Sequence, residues 1–143
     1  MLSSVSWFRK TVPSMMIGIV VFLFPACNSE GFKETPSGLK YKVLKEGKAN
    51  KIIEKGNVIL LHEKMWYTND SLLFDSRTLP GPVKTEAGAS QVIAGVDEAL
   101  IGMRTGEIKR LIIPPHLSRR TGDVEFPHPD STLIYEIEIM EIK

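Results

Sequence analysis

Gln91-Val92-Ile93-Ala94-Gly95-Val96-Asp97-Glu98-Ala99-Leu100 is the stretch on which the reading of the fold turns. Val96, Ala99, Leu100 and Met103 recur at steps of three and four, and this single apolar stripe predicts a helix across Gly95 to Met103. Asp97 and Glu98 in its first turn suit the positive end of the helix dipole, Arg104 suits the other end, and Thr105-Gly106 stops it.

Outward from this helix the period changes from 3.6 to two. Leu39, Tyr41 and Val43 alternate with Lys40 and Lys42, a half-buried strand that ends before the Glu46-Gly47 turn. A second strand follows Lys55-Gly56-Asn57 and runs from Val58 to about Tyr67. Thr68-Asn69-Asp70-Ser71 has hairpin-loop composition, Leu72-Leu73-Phe74 resumes the sheet, and Pro80-Gly81-Pro82 breaks it. Val83 to Val92, with Gly88 inside it, reads as a short strand and a loop. Beyond the helix, Ile108 to Ile113 is a strand halted by Pro114-Pro115, and Leu117 to Asp130 is a loop. Leu133, Tyr135, Ile137 and Ile139 alternate with Glu136 and Glu138 in a final strand. The sum is an α+β domain, an antiparallel sheet covered by one short helix.

The amino terminus is of another kind. Arg9 and Lys10 precede an apolar run from Thr11 to Phe24, and Ala26 stands before Cys27, the single cysteine of the 143-residue chain. A bilayer-spanning helix takes about 20 apolar residues, and this run is shorter, with Pro13 and Pro25 at its edges. The order of charge, apolar run and small residue is that of a secretory signal. Phe24-Pro25-Ala26-Cys27 resembles a bacterial lipobox, with Phe24 where Leu is usual, which implies lipid attachment at Cys27. The expected organisation is a lipoprotein signal peptide at 1–26, a flexible tether at 27–37 and one folded domain at 38–143. A Cys27 start leaves 117 residues with 16 basic and 17 acidic side chains, enough for one core and without the positive charge that attracts nucleic acid. No cysteine remains for a disulfide or a thiolate metal site, and His62, His116 and His128 lack metal-pair spacing, so neither metal nor cofactor is expected.

Three segments fall in one order: Phe74-Asp75-Ser76-Arg77, Gln91 to Leu100, and Ser131-Thr132-Leu133-Ile134-Tyr135-Glu136-Ile137. In this order, with Gly106 before a strand and Pro114-Pro115 after it, the chain from about Gly38 onward resembles an FKBP-type peptidyl-prolyl cis-trans isomerase. The resemblance implies a curved antiparallel β-sheet wrapped around one short α-helix, with an apolar proline pocket between them. It places Phe74, Val92, Ile93 and Tyr135 in the pocket walls and Asp75 at the rim; Phe74, Asp75, Ile93 and Tyr135 are the implied catalytic positions. Val83, Val92, Val96, Arg119 and Phe126 are the implied substrate contacts. Val83 and Val96 stand where aromatics are common in the family, which widens the pocket.

The chain departs from the family at identifiable places. Leu117-Ser118-Arg119-Arg120 replaces a Leu-Ala-Tyr-Gly segment whose tyrosine hydroxyl reaches a substrate carbonyl. His62-Glu63 replaces His-Tyr, with a one-residue insertion before Phe74 that leaves Trp66 or Tyr67 as possible compensation. Phe126-Pro127-His128-Pro129 replaces Ile-Pro-Pro, with Phe126 or Pro127 at the apolar tip. Two functions are therefore weighed: an isomerase for exported proline-containing polypeptides, tethered by lipid and facing the periplasm, or a proline-segment binding module with little turnover. Asn28, in place of the aspartate that retains many lipoproteins at the inner membrane, favours the outer membrane.

Overall fold

The computed structural model describes residues 31–48, 50–119, 127–128 and 130–143. The expected signal segment, Cys27, the start of the expected tether, Arg120 and Phe126 lie outside the described residues. Seven strands form β1 (Lys33–Glu34), β2 (Lys40–Lys45), β3 (Val58–Tyr67), β4 (Leu72–Asp75), β5 (Val83–Glu86), β6 (Ile108–Ile113) and β7 (Leu133–Ile142). The helix α1 spans Ala94–Leu100, α2 spans Pro115–Ser118, and a 3-10 turn at Ser76–Thr78 follows β4. All neighbouring strands are antiparallel, in the order β1-β2-β6-β7-β3-β4 with β5 also paired to β3, and the sheet does not close.

Residues directly opposite one another in such a sheet point to the same face. Phe74, Met65, Tyr135, Leu111 and Tyr41 therefore make one inward row across β4, β3, β7, β6 and β2. A second inward row is Glu63, Ile137, Lys109 and Val43, and a third is Val83, Leu61 and Ile139. Leu61, Met65, Leu111, Tyr135, Ile137 and Ile139 are all buried, so the alternation seen in the sequence is the burial pattern of this face. The outer face carries the intervening charged ladder Asp75, Lys64, Glu136, Arg110 and Lys42. The registers leave one extra residue in β2 at Leu44, in β4 at Leu73 and in β7 at Met140, and bulges of this kind bend and twist the strands that carry them.

Helix α1 covers the inner face with Val96, Ala99 and Leu100. Gly95 is the point of closest approach: a Cβ there would sit 2.5 Å from Ile113 Cγ2 of β6. The expected helix ran to Met103, but the observed one ends at Leu100, because Ile101 turns to ψ 128° and Gly102 takes φ +82°. The Gly102 N–H then donates to the Ile53 carbonyl, and the Ile53 N–H donates to the Met103 carbonyl. Met103 is fully buried by this loop rather than by a fourth helical step, and Arg104 lies beyond the helix in a bridge to Ile52 instead of at its carboxyl end.

Two further elements were not legible beforehand. β1 falls inside the stretch read as tether and pairs with Lys40 and Tyr41. α2 begins at Pro115 and takes in Leu117 and Ser118, the start of the expected loop; Pro115 in its first turn spares a helix start the loss of a useful N–H. Ser118 Oγ lies 2.9 Å from the Ser131 carbonyl and ties the end of α2 to the approach to β7.

The inner face also contains a buried charge pair. Lys109 Nζ is 3.7 Å from Glu107 Oε1, donates to the Ala99 carbonyl at 3.1 Å and lies 5.1 Å from the Tyr41 ring centroid. Burial pushes the Lys109 ammonium below its ordinary pKa, and the Glu107 carboxylate opposes that shift. The other Glu107 oxygen accepts the Arg104 N–H at 3.0 Å.

Candidate active site

A cleft of about 880 Å³ opens between α1, the loop before it and the inner face of β3, β5 and β7. Its apolar walls are Val83, Val92, Ile93, Val96 and Tyr135, with Ile101 at the helix end. Ile93 immediately precedes α1, so Val92 and Ile93 are presented where the chain turns from extended backbone into helix. Tyr135 enters from β7, and Val83 from the start of β5 opposite Leu61. Arg119, the residue after α2, also lines the cleft. Its side chain is 63% exposed and pairs with Asp130 at 3.0 Å; so open an ion pair holds it by about 0–1 kcal/mol.

The loop over the cleft is shaped by two polar side chains. Gly88 and Ser90 both have positive φ, +74° and +57°. Asp97, in the first turn of α1, accepts the Gly88 N–H at 2.6 Å through one carboxylate oxygen and the Ser90 N–H at 3.1 Å through the other. Gln91 accepts the Glu86 N–H at 3.0 Å. Together they hold the backbone that carries Val92 and Ile93, a role the sequence reading missed when it assigned Asp97 to the helix dipole alone.

The structure therefore brings Val83, Val92, Ile93, Val96, Arg119 and Tyr135 to one cleft. Phe74 and Asp75 are not among its lining residues. Phe74 shares the inward row of Tyr135 but stands two strands away, with Met65 between them, and packs against the core. Asp75 caps the 3-10 turn, accepting the Arg77 N–H at 2.9 Å, and pairs with Lys64 at 3.2 Å. The Arg77 backbone bond above all, with help from Lys64, holds its carboxyl below the usual aspartate value.

Glu63 was read as a departure and is found in the cleft wall. The signal was present: Ile59, Leu61, Met65 and Tyr67 are the inward phase of β3, and Glu63 is the one charge on that phase. Trp66 and Tyr67 are not among the described lining residues of the cleft. Trp66 points to the outer face, where Arg110 lies 5.8 Å from its ring, and the Tyr67 hydroxyl accepts the His128 N–H at 3.1 Å.

Residues 49–140 match the family model described as FKBP-type peptidyl-prolyl cis-trans isomerase. The chain is 35% identical over 109 residues to FK506-binding protein 1 of Dictyostelium discoideum, a match covering 74% of this chain and 99% of that one. It is also 35% identical over 135 residues to FK506-binding protein 2B of Rhizopus delemar, covering 90% of this chain and 62% of that protein. Among solved structures it is similar to FkpA from Escherichia coli, with a TM-score of 0.70 and 26% identity, covering 81% of this chain and about half, 53%, of that one. It is similar to AtFKBP13 with a TM-score of 0.68 and 26% identity, covering 78% of this chain and 98% of that one. The chain belongs to the FKBP-type peptidyl-prolyl cis-trans isomerase family and is an enzyme of that class.

Proposed function

We propose that the chain isomerises X-Pro bonds of exported polypeptides in the cleft beneath α1, while lipid on Cys27 holds it at a membrane of the cell envelope. The observation that carries the catalytic half is the apolar wall set Val92, Ile93, Val96 and Tyr135 facing one cleft. An X-Pro amide resists rotation through a barrier of about 18–20 kcal/mol because its planar form is conjugated and charge-separated. Water stabilises that form. Apolar walls exclude the water, take the proline ring and favour the twisted amide, whose nitrogen is no longer conjugated. Rotation needs no bond to be made or broken, so side chains that bind, twist and desolvate are sufficient. The uncatalysed step takes tens to hundreds of seconds, slow enough to limit folding after export.

A refolding-coupled isomerase assay on the full chain tests this half. Acceleration of a proline-limited phase is expected, and its absence with intact peptide binding would favour the second reading, a proline-segment binding module. Arg119 and Glu63 in the cleft, where the resemblance leads one to expect tyrosines, are what favour that alternative.

The tethering half rests on the lipobox-like Phe24-Pro25-Ala26-Cys27, and Asn28 supports placement at the outer membrane facing the periplasm. Labelling with a radioactive fatty acid tests it: the label is expected on the wild type and absent from Cys27→Ser. Label persisting on the variant would remove Cys27 as the anchor.

A further inference from the structure

Several chain segments meet at one end of the sheet, around the loop from Arg104 to Glu107. Lys45, the last residue of β2, stands opposite Ile108, the first of β6. The Lys48 N–H donates to the Thr105 carbonyl at 3.2 Å, Ile52 bridges to Arg104, and the Gly106 N–H donates to the Ile139 carbonyl of β7 at 2.7 Å. Lys51 Nζ donates to the Ile142 carbonyl at 3.3 Å. The end of β2, the stretch after it and the end of β7 therefore ring this loop.

Cations and exposed apolar side chains gather at the same end. Lys45, Lys48, Lys51 and Arg104 are exposed, against Glu46 and Glu141 as exposed acids, while Glu107 is buried with Lys109. This local excess of cations belongs to a chain whose Cys27 start leaves 16 basic and 17 acidic side chains. Leu44 adjoins Lys45, Ile52 adjoins Lys51, and Met140 follows Ile139; they are three of the six large apolar side chains exposed among the described residues. Aliphatic groups set among cations suit the boundary of an anionic bilayer, where ammonium and guanidinium groups meet phosphate and the aliphatic groups leave water.

The chain also approaches from this end. β1 is antiparallel to β2, with Lys33 opposite Tyr41 and Glu34 opposite Lys40, so each step from Lys33 back toward Cys27 advances along β2 toward Lys45. Gly31 keeps to that course, since a Cβ there would lie 3.8 Å from Lys42 Nζ. Cys27 is four residues from Gly31, and four residues span at most about 14 Å in any conformation. Lipid on Cys27 would hold this end of the sheet within that distance of the bilayer.

We infer that this end of the domain, through Lys45, Lys48, Lys51 and Arg104, docks on the surface of an anionic phospholipid bilayer. This rests on the lipid-tether reading and adds an orientation to it. Tyr135 lies four residues along β7 from Ile139, about 13 Å, so a domain seated in this way keeps that wall of the cleft clear of the headgroups. The attraction passes through solvent, and salt weakens it.

The test reconstitutes the full chain, matured in a bacterial envelope, into vesicles of phosphatidylcholine alone or mixed with phosphatidylglycerol. Acetylation of each lysine by an uncharged reagent is then followed, with Lys40, five residues back along β2, as the internal reference. At low salt Lys45, Lys48 and Lys51 are expected to react about threefold or more slowly, relative to Lys40, on the phosphatidylglycerol vesicles, and high salt should abolish the difference. In Lys48→Glu/Lys51→Glu the effect at Lys45 should shrink to within about twofold. Equal rates on the two vesicles would overturn the inference, as would protection of Lys45 that the double variant retains. The wild-type salt series stands by itself should the variant fold poorly. If the intact mass shows no acyl chain on Cys27, the tether reading fails, and sedimentation of wild type and double variant with the same vesicles decides the docking surface separately. Phosphatidylglycerol-dependent binding by the wild type alone would then support it, and equal binding by both proteins would overturn it.

Discussion

Lys109 donates from its ammonium to the Ala99 carbonyl at 3.1 Å, so a buried cation from the sheet caps the penultimate residue of the helix that roofs the cleft. Glu107 keeps that cation neutralised, and both side chains are buried. A buried pair of this sort contributes little net stability compared with an apolar pair, but breaking it leaves one charge stranded. Lys109→Met should therefore destabilise the domain by about 3–5 kcal/mol. Adding Glu107→Gln to it should recover much of the loss, since the amide of the new side chain retains an oxygen for the Arg104 N–H. Denaturant titrations of the two single variants and the double one measure the coupling; additive losses would mean that the pair does not act as a unit.

The same pair gives stability a dependence on alkaline pH. The folded-state pKa of Lys109 is depressed below 10.5, so the folded chain loses this proton at a lower pH than the unfolded chain does. Below the depressed value the burial penalty of the ammonium is fully present. As pH rises through it toward 10.5 the unfolded state binds more protons, and this contribution to stability increases. Unfolding free energies across that window should fall more steeply, or rise less, in the Lys109→Met/Glu107→Gln variant than in the wild type. Parallel curves would show that Lys109 titrates as an exposed lysine.

Gly95 should reverse the usual effect of alanine in a helix. At an ordinary interior position Gly→Ala gains about 0.5–1 kcal/mol. Here the new Cβ would lie 2.5 Å from Ile113 Cγ2, and an overpacked contact of this kind costs about 1–3 kcal/mol. Gly95→Ala is expected to lower stability and to reduce kcat/KM, because α1 must lift from β6 and carry Val96 with it. A thermal midpoint at or above that of the wild type would mean that Ile113 moves aside freely.

Arg119 lines the cleft with a mostly exposed side chain that a weak ion pair holds to Asp130. A tyrosine there would add a ring wall and a hydroxyl donor at the expense of little native structure. Arg119→Tyr should raise kcat/KM on a proline tetrapeptide by about tenfold, from a net hydrogen bond near 1 kcal/mol with some packing. Unchanged kcat/KM at matched thermal stability would place this residue away from the reacting amide.

Most of the sheet could be read from residue order. β3, β6 and the start of β7 coincide with the expected strands because period-two burial is written into each segment separately, as in Leu133, Tyr135, Ile137 and Ile139. The wall residues Val92, Ile93, Val96 and Tyr135 were legible for a different reason, an ordered set of motifs spread over the chain. The two-residue β1 and four-residue α2 are too short to show a period. Met103 continued the helical stripe on paper, yet it is buried by a loop that Gly102 turns toward Ile53. Only tertiary structure decided what three charged side chains do. Lys109 is buried because Ala99 and Glu107 meet it inside. Asp97 shapes a loop because Gly88 and Ser90 aim their N–H groups at it. Glu63 lies on the inward phase of β3, and the folded chain opens the cleft over that point of the sheet. Local sequence can show that a charge lies on the inward phase of a strand, but the free energy of that charge depends on groups that only the folded chain brings beside it.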